Sequence, residues 1–152
     1  MRSKPMPKPV PGKPRTQAAR SARSPMPRGF GYYPFPAAVA AQLDVRDPCC
    51  QFQGCAVTEN LQRHHRRYKA AGGSANRPHT QCPCNGIRLC PEHHALVHSR
   101  SAGARDDGYS VSQSCDYPSS QPVLRTDGSR PARYWATCDG RWVTERPEGA
   151  AA

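Results

Sequence analysis

Long apolar runs are absent from this chain of 152 residues, and none approaches the ~20 residues that a membrane helix needs. The basic N-terminus is not followed by an apolar segment, so no secretory signal is expected. Hydrophobic residues make up only 36% of the chain and aromatics 7%, with a mean hydropathy of −0.81. A chain this polar can bury a small core at most, and small cores need disulfides or metal ions as staples. Acidic residues are scarce as well: 11 Asp and Glu stand against 22 Lys and Arg, and none precedes Asp44. The net charge of +11 disfavours acidic partners and suits a polyanion, because neutralising phosphates releases condensed counterions. The basic segments carry no amphipathic apolar face, so nucleic acid is expected over a membrane surface.

Cysteine, histidine and proline are plentiful. All six histidines and six of the eight cysteines lie between Cys49 and His98. Without a secretion signal the expected compartment is a reducing cytoplasm, where clustered Cys and His favour metal over disulfides. One domain is expected from the length.

The expected organisation runs from a disordered basic arm at 1–28, rich in Pro, Lys and Arg, to an aromatic patch and short helix at 29–48. The patch, Gly29 to Pro36, is expected to pack against the core, and the helix to span Ala37 to Leu43. A metal-binding segment follows at 49–100, then a β-rich extension at 101–144 and a frayed tail at 145–152. In the third segment, Leu61 to Tyr68 reads as a strand and Asn85-Gly86 as a turn. Ile87-Arg88-Leu89 reads as a strand, and Pro91 opens a helix from about 91 to 100. That helix sets His94 and His98 four residues apart, on one face, toward one metal ion. Cys50 and Cys55, across a loop turned by Gly54, combine with Cys90 and His93 into a Cys3His tetrahedron for structural zinc. Cys49 is a substitute for Cys50, and Cys82/Cys84 is the competing second half of the site. Otherwise Cys82 and Cys84 are expected as free thiols, His79 as an exposed non-ligand, and Cys115 and Cys138 as unligated. In the extension, short strands are expected at Tyr109–Gln113, Val123–Arg125, Tyr134–Cys138 and Arg141–Thr144. Asp139-Gly140 turns the last hairpin, to which Tyr134, Trp135 and Trp142 supply most of the burial.

His64-His65, then Asn85, then Leu89-Cys90-x-x-His93-His94-x-x-x-His98 resembles the HNH endonuclease family, in particular small enzymes of bacteriophages and actinobacteria. The resemblance covers about residues 50–100. It implies an α+β fold built on a ββα-metal (His-Me) finger stapled by a zinc knuckle. It further implies that His64, His94 and His98 hold one catalytic divalent ion, that His65 is the general base, and that Asn85 braces the loop aiming it. The implied activity is hydrolysis or nicking of double-stranded DNA in a bacterial or phage-infected cell. Arg63, Arg66, Arg67, Lys69 and Arg88 are expected to hold phosphates. Three imidazoles favour zinc or nickel over magnesium, so the ion stays open among Mg, Mn, Ni and Zn. Two departures stand out: the fourth zinc ligand is His93 where the family usually has Cys, and Cys82-Pro83-Cys84 lies outside the family pattern. The alternatives are a non-catalytic zinc DNA-binding module, which would not need His64, His65, His94 and His98 together, and a phage packaging accessory that uses its nuclease within a larger assembly.

Overall fold

Helix α1, Ala37–Arg46, begins right after Pro36 and contains four alanines, the best helix formers. It runs past the expected end at Leu43 and stops at Asp47, before Pro48. The computed structural model describes residues 34–68, 77–99, 102–128 and 130–149. The basic arm, residues 29–33 of the aromatic patch, Lys69 and Gly72-Gly73-Ser74 lie outside the described residues. Among the described residues the architecture is α+β, with few helices and two small antiparallel sheets. No helix among the described residues is long and apolar enough to cross a membrane.

Strand β1, Gln62–His65, pairs antiparallel with β2, Gly86–Leu89, placing Gln62 opposite Leu89 and His65 opposite Gly86. β1 is shorter than the Leu61–Tyr68 expectation because its partners change. The Arg66 N–H donates to Asn85 O (2.8 Å), but the Arg67 N–H goes to the Asn85 side chain (Oδ1, 2.7 Å). Val111 then forms a single parallel bridge with Arg67, which is all that exists of the strand expected at Tyr109–Gln113. β2 leads through Cys90 into α2, Pro91–His98, with Pro91 in its first turn. A 3-10 turn, Pro83–Asn85, precedes β2, and a short helix α3, Ala102–Asp106, follows α2.

The core is small: Ile87, Leu89, Val97, Tyr109 and Val123 are fully or almost fully buried, with Cys50 and Cys90 beside them. The Tyr109 hydroxyl accepts from Gln53 N–H (2.8 Å) and donates to Leu124 O, so this aromatic joins the loop between Cys50 and Cys55 to the C-terminal sheet.

That sheet has three strands, the expected hairpin pair joined by the strand expected from Val123: β3 Val123–Asp127, β4 Arg130–Ala136 and β5 Trp142–Val143, in that order. Its buried anchors are Val123 and Ala136, whereas Tyr134, Trp135 and Trp142 are only half-buried. Between β4 and β5 the chain reverses through Asp139 and Gly140, whose φ of +83° suits glycine. Trp142 Nε1 donates to Asp47 Oδ1 (2.9 Å), which fastens β5 to the end of α1.

Candidate functional site

Among the described residues, three groups of Cys and His side chains each bring their ligand atoms within 4.8 Å of one another. The first is His64, His94 and His98. Strand alternation turns His64 inward and the neighbouring His65 to the other face. His94 and His98, one turn apart on α2, meet it with Nε2 atoms 3.0 Å apart. Two nitrogens each ~2.1 Å from one ion would stand about 3.0–3.4 Å apart, so this pair suits a shared cation.

The far sides of two of the rings are held. The Nε2–H of His64 donates to Tyr109 O (3.2 Å), and His94 Nδ1 bonds Gln62 Oε1. Metal-bound imidazoles are commonly oriented through their second nitrogen in this way. The arrangement leaves His64 Nδ1 buried and without a hydrogen-bond partner among the described residues. A buried unpartnered nitrogen is costly, and a cation at this point would satisfy it. Burial keeps the imidazoles neutral, as ligation requires. It pushes His64 well below the ordinary histidine value, helped by His94 and His98, and takes His94 down to about 4. His98 is lowered by burial as well.

His65 lies outside this group. Its ring stacks on Phe35, with centroids 3.7 Å apart and planes 8° from parallel, and its Nε2 meets Gln81 Oε1 at 3.2 Å. Asn85 is fully buried behind it. Its amide accepts from Arg67 N–H and donates to Thr80 O (3.0 Å), which ties the exit of β1 to the segment bearing Gln81.

The second group is Cys50, Cys55, Cys90 and His93, the four residues read together from spacing. Gly54, at φ +74°, turns the loop between the first two cysteines. His93 Nδ1 is 3.1 Å from Cys90 Sγ and 3.6 Å from Cys50 Sγ, and its ring stacks on Phe52. Burial pushes the Cys50 thiol up to about 12, so its thiolate needs a cation beside it. Donor set and spacing fit a metal ion such as zinc. Cys49 is not in the group.

The third group was not read from the sequence. His79, Cys82, Cys84 and Cys138 come together, although His79 was expected to be an exposed non-ligand and the cysteines free or unligated. Cys84 is fully buried and His79 half-buried. The signal available in the sequence was His79-x-x-Cys82-x-Cys84; nothing local announced Cys138. Cys115 belongs to none of the groups.

The expected phosphate-binding rim is also corrected. Arg66 is fully buried, its guanidinium donating to four carbonyls: Gly108 (2.8 Å), Cys84 (3.1 Å), Pro118 (3.1 Å) and Gln121 (2.6 Å). Arg67 is buried against the Cys115 and Pro78 carbonyls and Thr80 Oγ1. Arg88 is taken up by the Asp44 and Asp47 carbonyls and the Asp44 carboxylate. Arg63 pairs with Asp44 but keeps 41% of its side chain exposed. Planar guanidinium donors suit carbonyl-rich interiors as well as phosphate, and sequence position does not separate the two uses. No protein-family model, curated protein or solved structure matches this chain.

Proposed function

We propose that the chain is a metal-dependent endonuclease of the HNH type, built on a ββα-metal finger formed by β1, β2 and α2, which hydrolyses double-stranded DNA. The observation that carries this reading is the buried, unbonded Nδ1 of His64 beside the paired Nε2 atoms of His94 and His98, with His65 next in the strand. A non-catalytic zinc module would not need that group together with His65.

His64, His94 and His98 would hold one divalent cation. When bound, it supplies a Lewis acid at the scissile phosphate and charge stabilisation for the departing 3′ oxygen. His65 is the general base. Its Nε2 is anchored at Gln81 Oε1, and the imidazole takes a proton from water. The water oxygen bonds to phosphorus, the bond to the 3′ oxygen breaks, and that oxygen leaves protonated from solvent. The products are a 5′-phosphate and a 3′-hydroxyl. Phe35 and Gln81 keep the His65 ring from swinging, and Asn85 holds the segment carrying Gln81. Cys50, Cys55, Cys90 and His93 hold structural zinc, which stands in for core the chain does not have. The net charge of +11 supplies attraction to DNA.

The test is nicking of supercoiled plasmid by the full chain with Mg, Mn, Ni or Zn, and with EDTA, beside His65→Ala. Wild type should cleave with at least one ion and not in EDTA. His65→Ala should keep its fold and thiolate-bound zinc yet lose ~10²-fold or more in rate. A wild type inert with every ion overturns the reading.

A further inference from the structure

The geometry points to a second structural zinc site, formed by His79, Cys82, Cys84 and Cys138, that pins the C-terminal sheet to the turn carrying Asn85. This assignment does not depend on the nuclease reading.

Cys138 Sγ lies 3.5 Å from Cys84 Sγ and 3.4 Å from His79 Nδ1. Ligands ~2.0–2.3 Å from one tetrahedral ion stand roughly 3.3–3.8 Å apart, so both separations match a shared zinc. A disulfide would need the sulfurs at ~2.05 Å. Three ligands come from one folded-back segment. His79 sits at φ +60°, a left-handed conformation uncommon outside glycine, and its carbonyl accepts from Cys82 N–H (3.2 Å). The Cys82 carbonyl in turn accepts from Asn85 N–H (2.9 Å), closing the 3-10 turn that carries Cys84. The fourth ligand arrives from the loop between β4 and β5, 54 positions after Cys84.

Charge supplies an independent argument. Arg66 is fully buried and, among the described residues, forms no ion pair with a carboxylate. Carbonyl acceptors satisfy its N–H groups but leave its charge uncompensated, which is expensive in an interior. One of those carbonyls belongs to Cys84. Zinc with three thiolates and one neutral imidazole carries a net charge of −1, the counter-ion Arg66 otherwise goes without. Loading releases the three thiol protons to solvent, so zinc, protons and charge balance with no redox partner.

Zinc content and cobalt(II) substitution of the full chain, purified under reducing conditions, test the assignment. Cobalt in wild type should give a thiolate charge-transfer band from six thiolates. Cys138→Ser and Cys55→Ser should each lose one equivalent of zinc and about half of that band, from different sites. Cys138→His should restore the zinc equivalent while lowering the band by about one sixth. A folded Cys138→Ser with the full zinc count and full band overturns the assignment. So does a Cys84–Cys138 disulfide in mass spectra of unreduced protein. If Cys138→Ser does not fold, Cys138→His decides: recovery of fold and zinc supports the site, and continued failure to bind that zinc overturns it.

Discussion

The imidazole of His65 lies against Phe35 because the residue opposite it in the sheet, Gly86, has no side chain. A Cβ at position 86 would come within 2.6 Å of Leu43 Cδ1 and 2.9 Å of Phe35 Cζ, where real contacts essentially do not occur. Both rings and the end of α1 are packed through this gap.

Gly86→Ala must therefore displace Leu43, Phe35 or both. Overpacking of this kind costs ~1–3 kcal/mol, readable as a lower urea midpoint. Because Phe35 is the face on which His65 rests, plasmid cleavage should fall more than the lost stability explains, with zinc content unchanged. A Gly86→Ala chain with wild-type midpoint and wild-type cleavage would mean that the Phe35 contact does not position the base.

The two arginines flanking the histidine pair should behave in opposite ways. Arg66→Met removes the donor from four carbonyls, three of them buried, and unsatisfied buried groups cost ~1–3 kcal/mol each, so a loss of at least ~3 kcal/mol is expected. Arg63→Ala removes a half-exposed pair with Asp44 and should cost under ~1 kcal/mol. If Arg63 reaches a phosphate, its loss should also lower the salt slope of DNA binding by about 1. Denaturation of both variants and a salt series on Arg63→Ala check this. A stable Arg66→Met would show that the guanidinium is not holding these loops.

These arginines mark where the sequence stops being legible. His94 and His98 could be read because a helix fixes what four residues of separation means, and Pro91 fixed where that helix begins. Cys50, Cys55, Cys90 and His93 could be read because each pair is local. The burial of Arg66 depends on the carbonyls of Gly108, Pro118 and Gln121, which only the tertiary fold brings to it. Cys138 belongs with Cys84 for the same non-local reason. Tyr109 looked like a strand residue from its neighbours' alternation. Its carbonyl and hydroxyl are instead spent on His64, Gln53 and Leu124, and a residue so engaged cannot join a ladder.

Acid should weaken the fold through the histidine group, in a direction that can be fixed in advance. Burial, then the nearby His98, takes His94 down to about 4 from an ordinary value near 6.5. Between those values the unfolded chain binds the proton and the folded chain does not, so falling pH favours unfolding. The stability at stake is fully present above 6.5 and is lost progressively as pH falls toward about 4, below which both states are protonated. Zinc held by the thiolates would be released in the same range, so the informative quantity is a difference. Urea midpoints of wild type and His94→Gln, taken in steps from pH 7.5 to 4.5, should show wild type losing ground to the variant as pH drops. Parallel curves would mean that the imidazole is not kept neutral by its surroundings, and the group would then be a poor cation site near neutrality.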